Sequence, residues 1–161
     1  MFKKLTLGAE RFKDERGELE VLFESRNLVL KRSLSLKDVF RGLHRQTSPH
    51  AQNKIIRVIS GRILDFVSNP DDDKEIVWYT EITPNDDWIF IDRVLAHGFY
   101  ALEDTVFEYI CEGEYKESHE ESYRIDHLLL NELDIKNPTI SDKDLKGKRY
   151  GKSLKTINIA E

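Results

Sequence analysis

The chain has 161 residues, 39% of them hydrophobic and 34% charged, with a formal net charge of -5. That length suits one domain with a substantial core and is too short for two catalytic domains joined by a linker, and the acidic balance argues against nucleic acid as a partner. A single cysteine, Cys111, excludes an internal disulfide and a thiolate zinc site, so a reducing, cytoplasmic setting is expected.

Met1-Phe2-Lys3-Lys4-Leu5-Thr6-Leu7-Gly8 holds no apolar run of signal-peptide length before Glu10, Arg11 and Lys13. Nowhere does the chain reach the roughly 18 consecutive apolar residues of a membrane span, so no membrane partner is expected. Period-two and β-branched runs separated by turn residues predict strands over 28–34, 39–46, 54–60, 62–69, 76–82, 88–91, 97–102 and 105–111. Gly61 alone separates two of these, and Asn69-Pro70-Asp71-Asp72-Asp73 and Thr83-Pro84-Asn85-Asp86-Asp87 are turn-rich connections. Many short antiparallel strands predict a mainly β barrel or jelly roll, closed so as to leave few free edges, with any small-molecule site in its mouth. From about Leu128 the pattern changes. Asn137-Pro138 precedes a cap-like start at Ser141 to Asp144 and a lysine-rich tail, which predicts a short helix and a loosely packed C-terminal extension. The expected organisation is one domain over 1–161, with a core of about 12–127 and an extension over 128–161.

Several polar residues lie on predicted strands. Strict alternation places Val39, Arg41 and Leu43 on one face and Phe40, Gly42, His44 and Gln46 on the other, so Arg41 and His44 diverge unless a bulge intervenes. A cavity-facing His44 would be a general base near neutral pH, although a lone strand histidine is more often a satisfied structural residue. Asp65 interrupts the apolar run Ile63-Leu64-Asp65-Phe66-Val67, and burying a carboxylate there requires a partner, for which His97 in Ala96-His97-Gly98-Phe99 is the economical choice. Tyr109, in Phe107-Glu108-Tyr109-Ile110, reads as core filler more readily than as an acid. His44, His50 and His97 offer no pair at ligand spacing, so metal-dependent chemistry ranks behind metal-free chemistry, and no cofactor is expected.

The order of these elements carries more than any one of them. Phe12-Lys13-Asp14-Glu15-Arg16-Gly17, Arg41-Gly42-Leu43-His44-Arg45-Gln46, Ala51-Gln52-Asn53-Lys54, Gly61 to Asp65, Ala96-His97-Gly98-Phe99, Tyr109 and Ser141-Asp142-Lys143-Asp144 follow one another in the chain. This sequence resembles the dTDP-4-dehydrorhamnose 3,5-epimerases, metal-free members of the cupin superfamily that act on nucleotide-linked 4-keto-6-deoxysugars. The resemblance implies a double-stranded β-helix and epimerisation at the carbons flanking the ketone, within deoxysugar and cell-surface polysaccharide synthesis. It implies His44 as base, Asp144 as the carboxylate bonded to it and Tyr109 as the acid on the opposite sugar face. Arg41 and Lys54 would surround the ketone and phosphates, and His97 and Asp65 would form a second histidine–carboxylate pair. Gln46 and Tyr115 would also contact substrate, and Arg16 would contact the nucleotide from a partner subunit of a homodimer.

The chain departs from the family pattern in places that touch recognition. Val29 and Lys31 stand where a glutamine and an asparagine are usual, Ser68-Asn69-Pro70-Asp71 replaces a segment with an arginine, Arg93-Val94-Leu95 replaces Pro-x-Gly, and Glu18 and Leu19 alter the segment after Arg16. Two other readings stand beside the epimerase: a 3,4-ketoisomerase of the same superfamily, and a sugar-nucleotide-binding cupin without turnover.

Overall fold

The structure is a computed structural model that describes residues 10–25 and 27–159; the Met1–Gly8 reading falls outside that range. In chain order the strands are β1 (Glu10–Asp14), β2 (Gly17–Ser25), β3 (Leu28–Ser35), β4 (Phe40–Gln46), β5 (Lys54–Ser60), β6 (Ile63–Ser68) and β7 (Ile76–Ile82). They continue with β8 (Ile89–Ile91), β9 (Ala96–Ala101), β10 (Thr105–Glu112) and β11 (Glu120–Ile125). Helices α1 (His127–Glu132) and α2 (Asp142–Leu145) follow, then β12 (Lys148–Tyr150) and β13 (Ser153–Thr156).

Two sheets form a cupin-type jelly roll. One has six strands in the order β1-β2-β3-β10-β5-β8, the other seven in the order β12-β11-β4-β9-β6-β7-β13. Neighbours are antiparallel except β11–β12 and β7–β13. One apolar cluster joins the two sheets, with Ile56, Val58, Ile91 and Phe107 from the first meeting Ile63, Ile82 and Phe99 from the second. A second cluster lies on the far side of the seven-stranded sheet, where Phe40, Leu43, Phe66 and Tyr100 pack against Leu129, Leu130, Ile135 and Tyr150. Strand β6 is therefore covered on both faces. That is why its sequence runs apolar almost without alternation.

The eight predicted strands correspond to β3 through β10. The N-terminal hairpin and the last three strands were not predicted. The C-terminal segment is also not loosely packed: α1 supplies two buried leucines, and β12 and β13 each extend the sheet. Its few apolar residues sit at fitting positions on an existing sheet face, and that fit is invisible in the sequence of so short a segment.

Candidate active site

A cavity of about 560 Å³ opens between the sheets. The six-stranded sheet contributes Phe12, Leu19, Val21, Lys31, Ser33, Phe107 and Tyr109; the facing sheet and α2 contribute Arg41, His44, His97, Glu120 and Asp144. Register explains the first set, because Phe12 pairs with Leu19, Leu19 with Ser33, and Ser33 with Phe107. One row along, Glu10, Val21, Lys31 and Tyr109 are paired in the same way. Paired residues share a face.

Arg41 and His44 both line the cavity although they are three positions apart. The pairing of β4 with β9 slips between them, from Arg41 opposite Phe99 to His44 opposite His97, which is a bulge. Gly42 makes it possible. Its φ is +105° and a Cβ there would lie 2.7 Å from the carbonyl oxygen of His97, so only glycine fits without strain.

His44 Nε2 lies 2.6 Å from Asp144 Oδ1. Asp144 is 2% exposed, and its other oxygen accepts from the Gly42 amide at 3.4 Å. Burial opposes its ionisation, but the bond to His44, that ring's charge, the Gly42 amide and Ser141 outweigh it and hold the carboxyl below the usual carboxylate range. An ionised carboxylate only accepts, so Nε2 carries the hydrogen and a neutral His44 presents Nδ1 as its bare nitrogen. Asp144 reaches this place because Ser141 caps α2, its hydroxyl accepting from the Asp144 amide at 3.1 Å.

Tyr109 faces the cavity from β10, on the opposite sheet. Burial pushes its phenol well above the ordinary tyrosine value, with Cys111 and Glu120 adding to the shift and Arg41 opposing it. It is a neutral proton donor across the physiological range. Lys54 Nζ donates to the His44 carbonyl oxygen at 3.0 Å, and burial pulls its ammonium below the ordinary lysine value. His97 Nε2 meets Asp65 Oδ1 at 2.7 Å; His97 lines the cavity and Asp65 lies behind it.

Of the ten residues singled out from the sequence, eight line this cavity: Arg16, Arg41, His44, Lys54, His97, Tyr109, Tyr115 and Asp144. Arg16 does so within its own chain, held by Asp14 at 2.6 Å and 3.8 Å from Asp144. Gln46 does not line it. Its side chain is buried and accepts from the Lys116 amide at 2.9 Å, where it holds the turn leading into β11. Among the described residues no three His, Cys, Asp or Glu side chains gather as a metal-ligand set.

Over residues 4–151 the chain matches the family model described as dTDP-4-dehydrorhamnose 3,5-epimerase. The chain belongs to the dTDP-4-dehydrorhamnose 3,5-epimerase family. The dTDP-4-dehydrorhamnose 3,5-epimerase of Shigella flexneri is 33% identical over 125 residues, which cover 73% of this chain and 68% of that protein. The crystal structure of dTDP-4-dehydrorhamnose 3,5-epimerase from Sulfolobus tokodaii superposes with a TM-score of 0.61 at 31% identity, over 92% of this chain and 94% of that one. A dTDP-6-deoxy-D-glucose-3,5-epimerase of Legionella pneumophila Philadelphia 1, in complex with dTDP-4-keto-L-rhamnose, superposes with a TM-score of 0.62 at 26% identity, over 88% and 84% of the two chains.

Within this epimerase-family cavity the sequence reading missed Glu120. Its Oε1 lies 3.9 Å from His44 Nδ1, while Oε2 is held by Lys143 and by the Tyr115 hydroxyl at 2.5 Å. Burial opposes its ionisation, but Lys143, Tyr115 and the charge of His44 hold it below the usual range. Glu120-Glu121 reads as an ordinary solvated pair, and no spacing marks one of the two as inward. Lys31 and Ser33 were also not assigned a place in the site. Their shared parity on β3 was the available signal.

Proposed function

We propose that this chain epimerises a nucleotide-linked 4-keto-6-deoxysugar, with His44 as base, Asp144 orienting it and Tyr109 as acid. The observation that carries this reading is the pairing across one cavity. An imidazole braced by a buried carboxylate stands on one sheet, and a neutral phenol stands on the other.

Hydrogens on carbons 3 and 5 are acidified by the 4-ketone between them. His44 Nδ1 removes one from one face of the sugar, and the electron pair moves onto the ketone oxygen as an enolate. Lys54 and Arg41, which line the same cavity, supply positive charge to that oxygen. Tyr109 then delivers its proton to the same carbon from the opposite face, inverting the centre. The imidazolium left behind is stabilised by Asp144, and proton exchange with solvent restores His44 and Tyr109 for the next turnover. The substrate's ketone is the electron sink, so the steps balance without a cofactor.

Solvent-deuterium incorporation into a dTDP-4-keto-6-deoxyhexose tests the reading. Wild type should exchange deuterium into carbon 3, carbon 5 or both while the ketone stays at carbon 4, and His44→Ala should not. A wild-type protein that exchanges nothing across a panel of nucleotide 4-keto sugars, or a His44→Ala protein that exchanges as fast as wild type, refutes it. The same reading takes the active form to be a homodimer, which light scattering on the full chain would reveal as twice the 18.9 kDa chain mass.

A further inference from the structure

The connection between β4 and β5 runs from one cavity residue, His44, to another, Lys54, and it holds two glutamines that lie outside the cavity. Gln46 and Gln52 are 5% and 7% exposed, and both side-chain amides are bonded to backbone. Gln46 Oε1 accepts from the Lys116 amide at 2.9 Å, and Gln52 Nε2 donates to the Gly113 carbonyl at 3.1 Å. Further along the same segment, the His119 carbonyl accepts from the Thr47 amide at 2.8 Å and from the Thr47 hydroxyl at 3.2 Å. The His50 and His119 rings meet edge to face there, with centres 4.7 Å apart.

Gly113 and Lys116 stand at the two ends of a four-residue segment, where in a tight turn the first carbonyl and the last amide bond each other. Here a glutamine takes each of them instead, so the segment is held open as an arc. What the arc carries is turned toward the cavity. Tyr115 lies within it, Glu120 follows directly after His119, and the Tyr115 hydroxyl donates to Glu120 Oε2 at 2.5 Å. Glu120 Oε1 in turn lies 3.9 Å from His44 Nδ1. The connection is closed at its base, because Lys54 Nζ donates to the His44 carbonyl at 3.0 Å.

We infer that Gln46 and Gln52 are positioning residues for the reaction, a paired clamp that fixes Tyr115 and Glu120 relative to His44 and Lys54. This rests on the function proposed above. Groups around a reacting centre act only at set distances, and one short connection that ends in two cavity residues and grips the segment bearing two more sets those distances directly. The clamp has a chemical direction. A backbone amide needs an acceptor and a carbonyl needs a donor, so Gln46 must present its oxygen and Gln52 its N–H.

Kinetics on a dTDP-4-keto-6-deoxyhexose, measured beside hydrogen exchange at the Lys116 amide, tests this. Gln46→Met and Gln52→Met each leave a backbone group unpaired and should lower kcat/KM by about tenfold. Gln46→Met should also speed exchange of the Lys116 amide by about tenfold, while amides in β6 keep their wild-type rates. Glutamate at the two positions should divide them. Gln46→Glu keeps an acceptor and should bring both readouts to within about threefold of wild type, whereas Gln52→Glu sets an acceptor against the Gly113 carbonyl and should lose at least as much as Gln52→Met. Side chains that only fill space would respond alike, so equal losses in the two glutamate variants overturn the inference, and this pair decides even where a methionine variant does not fold. An unchanged exchange rate in Gln46→Met overturns it too. An active wild type matched in kcat/KM by both methionine variants refutes this inference alone, whereas a wild type that turns over no nucleotide 4-keto sugar removes the proposed function and this inference with it.

Discussion

The two sheets facing the cavity are built differently. The seven-stranded sheet is covered twice, by the interior on one face and by α1, Ile135 and Tyr150 on the other, and its inner side carries the hydrogen-bonded pairs His44–Asp144, the carboxylate reaching in from α2, and His97–Asp65. The six-stranded sheet has one buried face. Its outer face carries Glu108 between Arg32 and Arg57 along with exposed Leu34, Ile59 and Phe90; its inner face carries the acid candidate together with Lys31 and Ser33, whose polar ends have no hydrogen-bond partner among the described residues. The histidine–carboxylate pairs of the cavity thus lie on the doubly covered layer. The phenol of Tyr109 faces them from the other sheet.

Four changes break or sharpen that comparison. The largest effect is expected at the braced base: His44→Ala should lower kcat/KM by about 10⁴-fold, at the upper end of what a positioned acid or base contributes. Steady-state kinetics checks it, and a loss under tenfold would remove His44 from the mechanism. Leu130→Ala, at 4% exposure in the outer cluster, should destabilise by about 2–5 kcal/mol in denaturant titration. It should also reduce activity at temperatures where the native state persists, because Ile140, next to the Ser141 cap of α2, packs against the same cluster. Activity that survives unaltered would mean the covering layer does not position the base.

Tyr109→Phe should lower kcat by about 10²-fold and leave deuterium wash-in at the carbon faced by His44 measurable, since abstraction precedes reprotonation. Equal loss of exchange and turnover would contradict separate roles for the two sheets. Glu108→Gln is the smallest. Its two arginine partners are 46% and 40% exposed on their side chains, so water can solvate them and the loss should be about 1 kcal/mol, with kcat unchanged.

Acid stability tests the brace under the base. The folded Asp144 carboxyl lies below its ordinary value of 3.8, so the unfolded chain takes up the proton first as pH falls. Its contribution is fully present above that value and is lost as pH drops below it through the folded value. Asp144→Asn should therefore flatten the fall in melting temperature below about pH 4 relative to wild type. A superimposable profile would show that this carboxylate is not held by the fold.

Much of the molecule is written locally. The central strands declare themselves through β-branched runs and turn residues, β6 through an apolar stretch with one carboxylate, and Asp65 through the rule that a buried charge needs a partner, which His97 supplies. The hairpin of β1 and β2 could have been read as well. Leu19 and Val21 alternate with Glu18 and Glu20 after an Arg16-Gly17 turn, but the high charge of the segment masks its strand pattern.

Tertiary structure alone decided the rest. Alternation sends Arg41 and His44 apart, and a bulge at Gly42, possible because Gly98 leaves room across the strand, brings them together. Asp144 lies 100 positions from His44, on a segment whose sequence looks peripheral. Which of two adjacent glutamates turns inward, and which cavity cations find a partner among the described residues, depends on distances between strands far apart in the chain. Local sequence fixes backbone preference and the face a side chain occupies. Charge pairing is set by the three-dimensional neighbours that the closed barrel supplies.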